Sequence, residues 1–257
     1  MPSESPEGSD AEVDNPLTYN RDEIITSLTE FYEFLSTLPY VEPAAVLTPP
    51  SAGWPNITPE NFAGLHKNDE VINLLKHLPY IDLSHHEYII APETYPVDYR
   101  GELFQRDVTV ESVGRSLPLG DDVAFPEWVI NLTYGSRDGT YVMLDTSDGT
   151  VTEYNIQYEN DDPQYDEDDP RSWRNQCEGE AMSLTELLDD WRSKYFKLEW
   201  MGHSMNGWPT VMWADRGDEN YEDVKEMRKI IRKHGWPSSF QREACQRALR
   251  EWDQSKV

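Results

Sequence analysis

The sequence predicts an α+β fold with a mixed, mainly antiparallel sheet, a central β-meander covered by helices, and a C-terminal helical hairpin. Two Asp-Gly dipeptides, Asp138-Gly139 and Asp148-Gly149, stand ten residues apart between runs rich in aromatic, aliphatic and Thr residues. This pattern is typical of consecutive β-hairpins. Apolar residues at helical spacing occur on both sides of the segment, which indicates that helices cover the ribbon.

The predicted meander consists of strands at residues 128–134, 140–146 and 150–158. An antiparallel ribbon of this size needs an apolar element across one face. Ser183 and Glu186 form a capping-box pattern that predicts a helix covering the sheet. Residues 87–91 and 102–113 are predicted to be short strands that lead into the meander. The apolar stripe of the covering helix consists of Leu184, Leu187, Leu188, Trp191 and Tyr195.

Two helices are predicted near the N-terminus, one from Asn20 to Pro39 and one from Asn68 to Pro79, because apolar residues recur there at spacings of three and four. Leu-Pro-Tyr follows both helices, and each Tyr is expected to pack back over the last turn. Residues 41–57 are rich in Pro and Gly, so we expect an irregular crossing there, anchored by Trp54. Thr58 precedes a Pro, which indicates a helical first turn.

Residues 214–257 are predicted to form a basic helical hairpin packed on the domain. Its first helix ends at Gly235 and Pro237, and its second begins at Ser238 or Ser239. Residues 224–257 contain nine Lys or Arg and four acidic residues, which suggests docking on an acidic body or an acidic partner. The second helix is expected to bury Phe240, Ala244, Ala248 and Trp252.

The remaining chain divides into an acidic tail and one domain. Residues 1–17 are predicted to be disordered because they carry charge and little to bury. Residues 18–213 are predicted to form a single α+β domain, and residues 159–176 a solvated acidic loop within it.

The formal charge of −27 and the sequence pI near 4.4 argue against nucleic acid and anionic membranes as partners. No apolar run approaches membrane-spanning length. Cys177 and Cys245 lack metal-ligand spacing and suggest no disulfide framework. We therefore expect a cytoplasmic protein, with the nucleus as the alternative.

The sequence contains no motif of a metal site, a nucleotide-binding loop or a nucleophile elbow. We therefore predict no catalytic residue, no metal and no cofactor. The Trp- and Met-rich segment near residue 200 and the basic helix face after it are the candidate binding elements, although core or lid packing and a solvated helix face are the simpler explanations. The candidate binding residues are Trp200, His203, Trp208, Trp213, Lys225, Arg228, Lys229 and Arg232.

Residues 128–198 resemble the core of the SMI1/KNR4 family of the SUKH superfamily. The matching features are Ile130-Asn131-Leu132, the strand at residues 141–145, the turn and strand at residues 149–151, and the helix that begins at Ser183. The resemblance implies an α+β domain used for protein binding, as in fungal regulators of cell-wall synthesis and bacterial toxin-immunity proteins, without catalytic residues.

Two functions follow as hypotheses. The first is a non-catalytic protein–protein interaction or regulatory module of SMI1/KNR4 type with a protein partner. The alternative is a small-molecule hydrolase or tailoring enzyme with carboxylates and His203 in an aromatic pocket. An enclosed pocket that holds a desolvated carboxylate beside a histidine favours the enzyme, whereas a shallow aromatic groove or an exposed apolar patch favours the module.

Overall fold

A computed structural model describes residues 17–118, 125–135, 137–158, 162–205 and 207–256, without the side chains of Arg115 and Met205. It confirms the α+β class and the C-terminal helical hairpin. The helices are α1 (Arg21–Thr37), α2 (Asp69–His77), α3 (Val110–Val113), α4 (Leu184–Lys197), α5 (Tyr221–Lys233) and α6 (Arg242–Gln254). The strands are β1 (Val46–Leu47), β2 (Tyr80–Ile81), β3 (Tyr95–Pro96), β4 (Val129–Asn131), β5 (Thr133–Tyr134), β6 (Tyr141–Asp145), β7 (Thr150–Tyr154), β8 (Cys177–Ser183), β9 (Met201–Met205) and β10 (Trp208–Met212).

The central sheet has the strand order β4-β6-β7-β8, and every pair is antiparallel. Gly149 has φ +80°, a conformation that glycine adopts without strain, and its N–H donates to the Asp145 carbonyl at 2.9 Å. The Gly139 N–H donates to the Gly135 carbonyl at 2.7 Å. The predicted reversals at both Asp-Gly dipeptides are therefore confirmed, whereas strand β8 was not predicted.

Helix α4 lies on one face of the sheet, as its capping box and apolar stripe predict. The Ser183 hydroxyl accepts from the Glu186 N–H at 3.1 Å, and the five residues of the predicted stripe are buried. Helix α1 packs against α4 through Phe31 and Trp191, whose ring centroids are 5.9 Å apart. The N-terminal and covering helices thus share one hydrophobic core with the sheet.

Several local predictions are wrong. Residues 87–91 form no strand and contribute one isolated bridge, between Ala91 and Thr94. Residues 102–113 contain a 3-10 helix at Glu102–Phe104 and the capped helix α3, because the hydroxyl of Thr109 accepts from a backbone N–H and nucleates a turn there. Within residues 41–57, β1 pairs with β2. Thr58 caps one helical turn, as predicted, because its carbonyl accepts from the Phe62 N–H at 3.0 Å and its hydroxyl from the Asn61 N–H at 3.2 Å.

The acidic loop is only partly the solvated segment that was predicted. Residues 159–161 lie outside the described residues, and Ser172–Gln176 forms a 3-10 helix. Trp173 and Arg174 in that helix are buried. Arg174 Nη2 lies 2.8 Å from Asp145 Oδ2 and 2.8 Å from Asp148 Oδ2, so a cation inside the loop neutralises the end of the β6–β7 hairpin and draws the loop onto the sheet.

The C-terminal helices form the predicted hairpin with a later start for α6. The Gln241 N–H donates to the His234 carbonyl at 2.9 Å, which holds residues 235–241 in a turn and delays the helix to Arg242. The deepest side chains of α6 are Cys245 and Leu249. The residues predicted to be buried, Phe240, Ala244, Ala248 and Trp252, are half-buried.

The C-terminal hairpin contacts the rest of the protein through arginine side chains. Arg242 Nε donates to the Ser36 and Leu38 carbonyls, at 3.1 and 3.0 Å, and its Nη2 donates to the Val41 carbonyl at 2.9 Å. The positive charge of Arg242 lies near the C-terminus of α1, where the helix dipole is negative and carbonyl groups lack partners within the helix, so this position is favourable. Arg228 Nε donates to the Leu198 carbonyl at 2.7 Å.

Leu17 is exposed, and the rest of the predicted disordered tail lies outside the described residues. Among the described helices, none combines the length and the apolar character that crossing a bilayer requires.

Candidate functional site

A groove of about 410 Å³ lies where the sheet domain, the β9–β10 hairpin and helix α6 meet. We call it the junction groove. Tyr40 and Tyr88 contribute aromatic rings to its wall, and polar groups of α6 lie opposite. Its lining includes Tyr40, Tyr88, Gly207, Pro209, Arg250 and Asp253. Seven of the eleven described lining residues are polar or charged, among them Glu42, His86 and Gln246.

Tyr40 fixes the position of the β9–β10 hairpin on the domain. Its ring is almost fully buried, and its hydroxyl lies 3.1 Å from the Tyr195 hydroxyl, which donates to the Ile90 carbonyl at 2.9 Å. A Cβ on Gly202 would lie 2.0 Å from Tyr40 Cδ1. The backbone of β9 therefore rests directly on the ring, which only glycine permits at this distance.

The tryptophans among the candidate binding residues occupy different environments. Trp208 is 66% exposed and stands at the start of β10, between two groove residues, Gly207 and Pro209. Trp213 is 40% exposed and follows the other end of the strand. Trp200 is half-buried and packs edge-on against Trp191 and Tyr195 at 5.8 and 5.7 Å. Only Trp208 combines high exposure with a place beside the groove.

His203 lies inside the protein. It is 2% exposed, its ring packs edge-on against Trp252 with centroids 6.0 Å apart, and its Nε2 has no hydrogen-bond partner among the described residues. Burial lowers the pKa of the His203 imidazole to about 4, and the charge of Asp253 partly offsets this effect. The His203 ring is therefore neutral, because a charged imidazole at this buried position would lose its hydration. The neutral ring fills space between β9 and α6.

The basic residues of α5 do not form a common cationic face. Lys225 pairs with Glu222 at 2.9 Å and Lys229 with Glu226 at 2.6 Å. Arg228 is turned toward the Leu198 carbonyl, while Arg232 is exposed. Local acids thus neutralise two of the four candidate cations, and a third attaches the helix to the domain.

A second cavity, of about 650 Å³, contains the desolvated carboxylate Asp98. Burial raises the pKa of the Asp98 carboxyl to about 6, although Arg100 Nη2 lies 3.2 Å from its Oδ2. Arg100 also pairs with Asp82 at 3.0 Å. No histidine is among the described residues that line this cavity, so the combination expected for the enzyme hypothesis is not assembled there.

The sequence prediction missed the residues that build the junction groove on the domain side and on α6. Tyr40 belongs to the first Leu-Pro-Tyr sequence, which could have drawn attention to it. Tyr88, Arg250 and Asp253 carry no local signal, since their grouping depends on contacts between distant parts of the chain.

No protein-family model matches this sequence, and comparisons with curated proteins and with solved structures give no match either.

Proposed function

We propose that this protein is a non-catalytic interaction module of SMI1/KNR4 type that holds a segment of a partner protein in the junction groove. The observation that carries the proposal is the 66% exposure of Trp208 beside the groove. Tryptophan is enriched among the residues that dominate binding energy, and it is effective where a rigid support presents it. Pairing of β9 with β10 over five residue pairs, and the seating of β9 on Tyr40, provide that support.

The groove is suited to an uncharged apolar or aromatic side chain of the partner. Tyr40 and Tyr88 line the groove but are only 1% and 2% exposed, and its charged lining residues are Glu42, Arg250 and Asp253. An anionic side chain would gain little there, because two of these three charges are negative and surface ion pairs contribute little. An aromatic side chain would instead bury area mainly against Trp208, which is 66% exposed next to the groove.

The experiment compares three immobilised baits in quantitative affinity purification: the wild-type protein, Trp208→Ala and Leu103→Ala. Leu103 is 56% exposed in the other cavity, so its substitution removes exposed apolar surface elsewhere. We expect a partner that both wild type and Leu103→Ala retain. With the purified partner, Trp208→Ala should raise Kd by about 30-fold, the equivalent of a 2 kcal/mol hot spot.

Trp208→Ala should leave the thermal midpoint nearly unchanged, because substitution of an exposed side chain changes stability by about 0.5 kcal/mol or less. A large decrease in the midpoint would show that Trp208 is a packing residue. If every protein recovered by the wild type is also recovered by Trp208→Ala, the groove is not the binding site.

A further inference from the structure

His203 is a buried ionisable side chain that the proposed binding of a partner does not use. It lies in the middle of β9 and is 2% exposed. Its ring contacts Trp252 of α6 edge-on, with centroids 6.0 Å apart, and its buried Nε2 has no hydrogen-bond partner among the described residues. Water can therefore hydrate a charge on this ring only after the elements around it separate.

The two sides of β9 are held with different strength. On the domain side, the β9 backbone at Gly202 rests on the buried Tyr40 ring, and Val211 of the paired strand belongs to the main hydrophobic core. On the other side, α5 and α6 share a small separate core with Leu198 and Met201. An element that buries less apolar area opens at a lower free energy. The helical hairpin is therefore the side of β9 that opens more easily.

The two ends of α6 are attached to the rest of the protein in different ways. At the N-terminal end, Arg242 donates to three main-chain carbonyls, and Gln246 also forms a hydrogen bond to the domain. Leu249 is buried in the small core. Beyond Leu249, the ring of Trp252 packs on His203. The packing of residues 250–254 on β9 therefore depends on this pair of rings.

The charges around the His203 ring do not compensate for its burial. Asp253 of α6 raises the pKa of the imidazole, but the larger effect of burial lowers that pKa to about 4. Thr210 on β10, which pairs with His203, carries no charge. The other charged residues on the nearby parts of α5 and α6 are Asp223, Arg250, Glu251 and Lys256. Asp223 and Lys256 form an ion pair with each other.

The docked position of α6 is consequently linked to pH. The pKa of an imidazole in water is about 6.5, so the released state binds a proton more tightly than the docked state. Docking is fully stable above about pH 6.5 and is progressively weakened as the pH falls from about 6.5 towards 4. Between pH 7 and pH 5, the ratio of released to docked α6 should rise by about 20-fold, which is the value that these two pKa values give.

We propose that His203 is a pH-sensitive latch for the C-terminal part of α6. The neutral ring packs against Trp252 and holds residues 250–254 on β9. The charged ring releases this segment, while Arg242 keeps the N-terminal end of the helix attached. Because the segment contributes to the wall of the junction groove, its release also opens the groove. The latch does not depend on whether the groove binds a partner protein.

The test is amide hydrogen exchange of the full-length protein at pH 7 and pH 5, with rates corrected for the intrinsic effect of pH on exchange. In the wild type, protection of residues 250–254 should fall by about 20-fold, whereas protection of α2 should stay constant. His203→Leu replaces the imidazole by an uncharged side chain of similar volume, so it should abolish the pH dependence. His234→Gln removes a histidine from the same helical hairpin and should retain it.

An NMR titration of the His203 ring gives a second readout that requires no variant. In the wild type, the ring should remain neutral down to about pH 5 wherever α6 is protected. The proposal is overturned if residues 250–254 are equally protected at pH 7 and pH 5, or if His203→Leu loses protection as the wild type does. It is also overturned if α2 loses protection in parallel, or if the ring titrates near pH 6.5 while α6 stays protected.

Discussion

Gly202→Ala should detach the β9–β10 hairpin from the domain and deform the junction groove. The added Cβ would lie 2.0 Å from both Cδ1 and Cε1 of Tyr40. The Tyr40 ring is 1% exposed and cannot move outward, so β9 must shift by about 1 Å or more to reach van der Waals distance. Overpacking of this kind costs about 1–3 kcal/mol.

For a chain of this size the cost corresponds to a decrease in the thermal midpoint of about 2–12 °C, measurable by differential scanning calorimetry. Tyr40→Leu removes the obstructing ring, so Gly202→Ala should cost much less in that background. The coupling free energy from the double-mutant cycle should exceed about 1 kcal/mol. Equal stability of Gly202→Ala and the wild type, or additive effects of the two substitutions, would refute the contact.

Three further predictions concern ionisable groups. Arg174→Met should lower the free energy of unfolding by about 3–5 kcal/mol in urea titrations, because it leaves Asp145 buried without its cation. Adding Asp145→Asn to this variant should restore much of the lost stability. If it restores none, Asp145 and Arg174 do not form a stabilising ion pair. Asp98 should titrate near pH 6 in carboxyl NMR. Since the folded state then holds that proton more tightly than the unfolded chain, stability relative to Asp98→Asn should fall by about 2 kcal/mol as the pH rises from about 4 to 7, and a constant difference would argue against a desolvated carboxyl. Arg242→Met should release α6 from the carbonyls at the C-terminal end of α1 and just beyond it, and accelerate amide hydrogen exchange in α6 but not in α2; unchanged exchange in α6 would contradict this anchoring role.

Elements with strong local signals could be predicted from the sequence. The capping box at Ser183 and the turn at Gly149 depend on residues that lie within a few positions of one another, and both are as predicted. The same hairpin signal, Asn206-Gly207, stands between β9 and β10 but was not used, so the β9–β10 hairpin was missed.

Strand β8 could not be predicted because its residues, which include Glu178, Gly179 and Glu180, have low intrinsic strand preference. Its conformation depends on pairing with β7 and on the neighbouring 3-10 helix, whose Arg174 is bound by two aspartates. The junction groove combines residues about two hundred positions apart, such as Tyr40 and Arg250. No local pattern specifies such a grouping.

Site-specific photo-crosslinking in living cells tests the proposed interaction most directly. A photoreactive phenylalanine derivative replaces Trp208 in one version of the protein and Leu103 in another. The account predicts a discrete adduct with a second protein at position 208, none at position 103, and loss of the adduct when Gly202→Ala deforms the groove. Adducts of the same pattern at both positions, or none at position 208, would contradict the assignment of the junction groove as a protein-binding site.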